Sequence, residues 1–357
     1  METSKPLVSV CLPTYNRAKL LQQSLDTICR QNYERIEIVV SDNGSADETE
    51  RVCREAATVD PRIRYFRQPH NIGLHQNYNF CFDQAQGEIL CFFHDDDLYD
   101  PQIVSESVAF LQANPAVGLV CSDWSLLNET GKIIGARECM VDPVLPGLAF
   151  IERVMRTGQS YIGCSGAVIR RSALGDIRFD EQGTTGFSDF VVWFRIAEHA
   201  AVGHIPKRLF AYRLHAGSLS RRTIASVARE YYRTLMAYCD DFAARWPERS
   251  AQADRWRRAI KHYLFWAVAY EVGLHVRRRD PSDAQETRYR TVFEIANYRL
   301  TDEEFEEALA QLRSYGTGPL PRLALVLIEA MLRTHVTWPL GWITRHSASM
   351  RGLLGLR

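Results

Sequence analysis

The first 130 residues alternate short continuous apolar runs with stretches in which apolar positions recur at helical spacing. Five runs predict strands buried on both faces: "LVSVCLP" from residue 7, "IEIVVSDNGS" from 36, "IRYFRQP" from 63, "EILCFFHDDD" from 88 and "GLVCSDWSLL" from 118. Between them, "AKLLQQSLDTICRQ", "ADETERVCREAA" and "LHQNYNFCFDQA" read as helices, the second with acidic residues in its first turn, where the helix dipole favours them. Strand and helix in alternation predict an α/β sheet flanked by helices. Beyond about residue 220 the pattern turns helical, rich in Ala, Arg, Leu and Tyr, and Thr301-Asp302-Glu303-Glu304 reads as a capping box. The chain is therefore divided into an α/β domain, residues 1–220, and a helical region, residues 221–357.

Two polar clusters, "SDNGS" and "HDDD", fall just past the carboxyl ends of predicted strands. In open α/β sheets that edge binds ligands. Composition narrows the ligand. With 43 Lys+Arg against 43 Asp+Glu, no overall basic field points to nucleic acid. The balance is uneven along the chain: residues from 219 onward hold 22 Lys+Arg and 16 Asp+Glu, so the α/β part is acidic. The nine cysteines form no C-x-x-C pair, and several lie inside apolar runs, which fits a reduced compartment. No secretory leader and no membrane-spanning apolar window is legible, so the expected setting is cytoplasmic. The stretch from Pro319 to Arg357 mixes apolar runs, arginines, Trp338 and Trp342. It reads either as a peripheral membrane contact or as a helix packed on the catalytic domain or in a homodimer.

Asp95, Asp96 and Asp97 are the sharpest signal. Adjacent carboxylates repel and are costly at a strand end unless a cation pairs with them. Mg²⁺ or Mn²⁺ has the required preference for oxygen ligands, and a bound diphosphate completes such a shell. At the end of the first strand, "PTYNR" offers Tyr15 for stacking on a flat ring, or an ordinary turn. Asp42 offers an acceptor for a base N–H or ribose hydroxyl, or an Asx-turn. Ser188 and Asp189 read as caps of the helix "FVVWFRIAEH", and Asp189 equally as a base. "YIGCSGAVIRR" reads as a loop-to-strand wall or a tight turn. His70, His75, His199 and His204 gain no support as site residues.

The ordered set PTYN, D-N-G-S, "HNIGLHQNYN", "HDDDLYDP", "GFSDFVVWFRIAEH" and "YRLHAGSLS" resembles glycosyltransferase family 2, over about residues 6–220. The resemblance implies a GT-A fold, a Rossmann-like mixed sheet, and an inverting transfer from a nucleotide-diphosphate sugar. UDP is the first expectation for the nucleotide, dTDP and GDP the alternatives, and the acceptor is a glycan or a lipid-linked glycan in polysaccharide or glycolipid assembly. It places Pro13, Thr14, Tyr15, Asp42 and Asn71 around the nucleoside. Asp95 and Asp97 form the D-x-D motif, with Asp95 or Asp96 near the ribose and Asp97, Asp95 and His215 at the metal. Arg213 and Ser218 accompany His215 near the diphosphate, and Asp189 is the general base. Two stretches depart from the family pattern: "NIGLHQNYN" lacks an alanine-arginine-asparagine run, and Ser188 stands where many members have glutamate. The alternatives are a sugar nucleotidyltransferase, disfavoured by PTYN in place of a glycine-rich basic loop, and a catalytically silent nucleotide-sugar-binding module.

Overall fold

Strand β1 (Val8–Thr14) is buried at every residue, and so is β2 (Ile36–Asp42). The two pair in parallel, Val8 opposite Ile36 and Thr14 opposite Asp42, so both end at the same level. β3 (Ile63–Arg67) continues the parallel sheet beside β2, and β4 (Ile89–Phe92) lies on the other side of β1. The computed structural model describes residues 5–139, 142–159, 161–179, 187–215 and 224–260.

The remaining strands are β5 (Leu98–Tyr99), β6 (Val117–Leu127), β7 (Ile133–Arg137), β8 (Val144–Leu145), β9 (Ala167–Arg170) and β10 (Ala201–Arg213). The sheet runs β3-β2-β1-β4-β9-β6-β10-β5, with β7 beside β6 and β8 beside β10. β9 is antiparallel to β4 and to β6, whereas β6 and β10 are parallel to each other. The sheet is thus mixed, as the sequence resemblance implies.

Helices α1 (Ala18–Ile28), α2 (Thr49–Val59), α3 (Leu74–Gln84), α4 (Ile103–Ala113) and α5 (Gly147–Thr157) follow β1, β2, β3, β5 and β8. They are joined by a single turn, α6 (Arg171–Leu174), and by α7 (Ser188–Ala197). α1 buries Leu21, Leu25 and Ile28, one face at helical spacing. Each such side chain removed from water contributes about 1.5–3 kcal/mol. α2 begins at Thr49, where Asp47 accepts the Thr49 N–H at 3.0 Å, leaving Ala46, Asp47 and Glu48 of the expected helix in the preceding loop.

A polar clip fixes the far end of the strands. Glu37 accepts from Ser9 Oγ and Gln86 N, each at 2.5 Å, and from Arg64 Nη1 at 2.6 Å. A carboxylate with that many donors stays ionised although buried, and its pKa lies below the ordinary value: burial raises it, the donors outweigh burial.

The chain divides into two compact units between Arg221 and Arg222. The described part of the second is helical: α8 (Ile224–Arg245), then residues 250–260. Trp256 packs on Phe242 at 4.8 Å between ring centroids, and Arg257 Nη2 donates to Asp240 at 2.7 Å. Among the described residues no helix is long and apolar enough to cross a membrane. The expected capping box at Thr301 and the stretch from Pro319 lie outside the described residues, as does Ser218.

Candidate active site

The turns after β1 and β2 are tied together. Asn16 adopts a left-handed backbone, φ 51°. Its N–H donates to Ser45 Oγ at 2.9 Å and its Oδ1 accepts from Ala46 N at 2.8 Å. Pro13 and Thr14 lie in the sheet, and Tyr15 follows them exposed at the rim, 42% accessible. Gly44 holds φ +73°, and a Cβ there would lie 2.9 Å from the His70 carbonyl carbon. Asn43 bridges the next loop, donating to Asn71 Oδ1 at 2.9 Å and accepting from Ile72 N at 2.8 Å. Asn71 is thereby brought beside the β2 turn.

Asp42 is fully buried. Its Oδ1 accepts from Ser45 N at 2.9 Å, and its Oδ2 accepts from the Tyr65 hydroxyl at 2.8 Å. The carboxylate therefore closes its own turn and anchors Tyr65.

The three aspartates follow β4 and point to different partners. Asp95 Oδ1 accepts from Arg17 Nη1 at 3.0 Å. Burial and the repulsion of Asp96 push its pKa up to about 6, against Arg17 and Thr14. Asp96 Oδ2 accepts from the same Arg17 nitrogen at 2.6 Å and lies 3.0 Å from His215 Nε2. Burial would raise its pKa, but His94, Arg17 and His215 hold it below the ordinary carboxylate value. Asp97 has no solvent exposure. Its Oδ1 accepts from Arg213 N at 2.7 Å, and its carbonyl accepts from Ser24 Oγ at 2.6 Å. Burial and the neighbouring Asp96 push its pKa well up, opposed by Ser165 and the Arg213 N–H.

A divalent cation fits this chemistry. Oδ2 of Asp97 is buried without a hydrogen-bond partner of normal geometry, 3.8 Å from His94 Nδ1. Buried polar atoms are otherwise nearly always paired. One ligand atom each from His94, Asp96 and Asp97 lies within 4.8 Å of the others. Burial lowers the His94 pKa, which keeps the imidazole neutral, the form that ligates metal. The group differs in membership from the sequence expectation of Asp97, Asp95 and His215. Asp95 turns to Arg17, and His215 turns to Asp96.

Arg213 is 3% exposed. Its Nε donates to the Asp96 carbonyl and its Nη2 to Gln23 Oε1, both at 2.9 Å, so it braces the aspartate loop from the end of β10.

Asp189 lies in the first turn of α7, which starts without a side-chain cap. The residue keeps some solvent contact, yet its carboxyl is surrounded by protein, and burial pushes its pKa up to about 6. The Cys164 thiol hydrogen-bonds it and opposes that shift. Cys164 and Ser165 open the short turn Cys164–Gly166 before β9. Successive residues of that turn lie by Asp189 and by Asp97, which brings Asp189 and the aspartate loop to one site.

Sequence reading left out Arg17 and Cys164, and took His94 beside the aspartates as more often a packing residue than a ligand. Arg17 stands inside the quoted "PTYNR", but only the fold joins it to a carboxylate 78 positions away. The two departures from the family pattern also meet: Ser188 Oγ and His75 Nε2 are 2.5 Å apart, with His75 stacked on Phe179 at 5.5 Å.

The model of the family described as Glycosyl transferase family 2 matches residues 9–178. "Glycosyltransferase GlyA" of Streptococcus pneumoniae is 29% identical over 228 residues, 60% of this chain and 31% of that protein. The "GalNAc(5)-diNAcBac-PP-undecaprenol beta-1,3-glucosyltransferase" of Campylobacter jejuni is 41% identical over 93 residues, 26% of this chain and 30% of that one. The chain spans about a third of the length of the first curated relatives it matches. S. aureus TarS 1–349 in complex with UDP-GlcNAc shares the fold at TM-score 0.60 and 15% identity, covering 81% of each chain. The mannosyltransferase PcManGT from Pyrobaculum calidifontis, in complex with GDP-Man and Mn²⁺, shares it at TM-score 0.52 and 20% identity, covering 93% of this chain and 87% of that one. The mixed sheet is the GT-A fold of those structures, and residues 9–178, which include the whole aspartate loop, match glycosyltransferase family 2.

Proposed function

We propose that this chain is an inverting, metal-dependent glycosyltransferase that moves a sugar from a nucleotide-diphosphate donor to an acceptor hydroxyl. The observation that carries the reading is the pairing of two separated acids through one turn. Cys164 hydrogen-bonds Asp189, and the next residue, Ser165, is buried close to Asp97 without a hydrogen bond of normal geometry, so a proton acceptor stands beside, but apart from, a cation-seeking loop.

The nucleoside enters the rim formed by Pro13, Thr14, Tyr15 and Asn71, with the Tyr15 ring against the base. Asp42 supports that rim from within, through Ser45 and Tyr65. Asp97, Asp96 and His94 would hold Mg²⁺ or Mn²⁺, which supplies Lewis-acid stabilisation of the departing diphosphate. Asp95 is left for the ribose side, and His215 adds a donor beside Asp96. Asp189 takes the proton of the acceptor hydroxyl as that oxygen attacks the anomeric carbon opposite the leaving group. A pKa of about 6 suits this role: the carboxylate is mostly ionised near neutral pH yet basic enough to accept the proton. One displacement inverts the anomeric centre and needs no enzyme nucleophile.

UDP, dTDP and GDP remain the donor nucleotides to compare, since the similar structures hold UDP-GlcNAc and GDP-Man. The relative named for an undecaprenol-linked substrate is in keeping with a glycan or lipid-linked acceptor. A cytoplasmic site, with the tail as a peripheral membrane or homodimer contact, belongs to the same proposal.

A thermal-shift screen of the three nucleoside diphosphates with and without Mn²⁺ tests the binding half, because a ligand of the native state raises the melting temperature. At least one nucleotide should stabilise the chain only with Mn²⁺. Hydrolysis of the matching nucleotide sugar then tests catalysis: binding with no turnover would identify a silent binding module instead.

A further inference from the structure

We propose that Arg17 is a tethered counter-cation of the aspartate loop, displaced by a divalent cation and then paired with the donor's diphosphate. The second half rests on the nucleotide-sugar reading; the first half does not.

One Arg17 nitrogen serves two carboxylates, Asp95 Oδ1 at 3.0 Å and Asp96 Oδ2 at 2.6 Å. Asp96 Oδ2 also lies 3.0 Å from His215 Nε2. A carboxylate oxygen offers two lone pairs, and both are occupied here. Yet Asp96 belongs, with His94 and Asp97, to the group whose ligand atoms lie within 4.8 Å. Asp97 contributes a fully buried Oδ2 with no hydrogen-bond partner of normal geometry, which is the independent sign that something else is meant to be bound. A dication placed among these atoms stands close to a fixed guanidinium charge, and like charges at that range repel strongly outside bulk water.

Arg17 is the member able to leave. Its side chain is 36% exposed, whereas those of Asp95 and Asp96 are 6% and 12%. The backbone beneath it is held in place: Asn16 is fixed to the β2 turn, and Ala18 N donates to Asp47 at 3.0 Å. The side chain therefore pivots while its base stays next to Tyr15, at the nucleoside rim. A guanidinium released there has a fork geometry matched to phosphate oxygens. Without metal, the arginine neutralises carboxylates that would otherwise repel each other. With metal and donor, it neutralises the diphosphate. Arg17 offsets negative charge in both states, and the exchange makes donor binding depend on the metal having arrived.

The test is calorimetric titration of the full chain and of Arg17→Gln and Arg17→Lys. Mn²⁺ alone is titrated first, then UDP and GDP in saturating Mn²⁺. Arg17→Gln should bind Mn²⁺ alone on the order of tenfold more tightly than the wild type, since no competing cation remains. It should bind the nucleotide on the order of tenfold less tightly. Arg17→Lys, charged but unable to span both carboxylates, should fall between them. Melting provides a second reading: in EDTA Arg17→Gln should melt below the wild type, and Mn²⁺ should raise its melting temperature by more. Equal or weaker Mn²⁺ affinity in Arg17→Gln overturns the displacement, and unchanged nucleotide affinity overturns the contact with the diphosphate. Should Arg17→Gln fail to fold even with Mn²⁺, the lysine variant decides by the same comparison. A wild-type chain that binds Mn²⁺ more weakly than Arg17→Gln, but neither UDP nor GDP, supports the displacement while overturning the nucleotide-sugar reading.

Discussion

The backbone N–H of Arg213 donates to Oδ1 of Asp97 at 2.7 Å, joining the last residue of β10 to a loop 116 positions earlier. From sequence, Asp97 reads as a strand-end residue whose loss the fold would survive. Its full burial and its ties to Arg213 and Ser24 make it structural as well. Asp97→Ala should therefore cost about 1–3 kcal/mol, the worth of leaving a buried donor unpaired. Denaturant unfolding in EDTA measures this. Asp97→Asn keeps an acceptor for the Arg213 N–H and should fold, yet lose Mn²⁺-dependent nucleotide binding. Wild-type Mn²⁺ affinity in that variant would take Asp97 out of the ligand set.

Asp189→Asn should lower sugar transfer by roughly 10²–10⁴-fold with nucleotide affinity retained, the usual size of a general-base contribution. Its effect on stability has the opposite sign. The folded pKa of Asp189, about 6, lies above the ordinary value of 3.8, so the ionised carboxyl penalises the native state above pH 6. That penalty fades as pH falls through 6 and is gone below 3.8. After allowance for its partial exposure, the asparagine variant should be about 1–2 kcal/mol more stable at pH 7.5 and no more stable at pH 3.5. Melting curves at the two pH values decide; a variant less stable at both would mean that the carboxylate is a structural ion.

Cys164 gives a second handle on the same acid. A hydrogen bond to the charged form lowers a carboxyl pKa, and a hydroxyl is a stronger donor than a thiol. In Cys164→Ser the acid limb of the pH–rate profile should move below about 6. Transfer at neutral pH should slow a few-fold, because a weaker base accepts the proton less readily. An unmoved limb would separate Cys164 from the titrating group.

Gly44→Ala tests the nucleoside rim. The backbone there has φ +73°, and the added Cβ would lie 2.9 Å from the His70 carbonyl carbon. Strain of this kind costs about 1–3 kcal/mol. Displacement of the His70–Asn71 segment should also weaken UDP or GDP binding, read by titration at a temperature where the variant is folded. Unchanged affinity would show that Asn71 lies away from the nucleotide.

The parallel half of the sheet was legible because β1, β2 and β4 are buried on both faces and so read as unbroken apolar runs. β10 was not. It carries Pro206, Lys207 and Arg208 at exposed positions in its middle, and shifts register there against β6. β5 and β8 span two residues each, too short for any period to show. Within the site, the aspartates were visible because like charges in sequence demand an explanation. Arg17 was invisible because one arginine after a turn looks like any other, and its partners lie in the loop after a different strand. Asp42 was legible as a strand-end acceptor, for a ligand or for its own turn, but its environment was out of reach. The hydroxyl of Tyr65 reaches it from β3 only once the strands are in register.

The contact of 2.5 Å between Ser188 and His75 bears on descent. Each residue lies in a stretch that departs from the common pattern of the family, and each holds a polar partner for the other. A lineage that altered one of them first would have passed through a form with a mismatched pair beside Asp189. The two positions are therefore expected to change hands together. A chimaera that takes α3 or α7 alone from a relative should transfer sugar worse than either parent, and one that takes both should regain the loss.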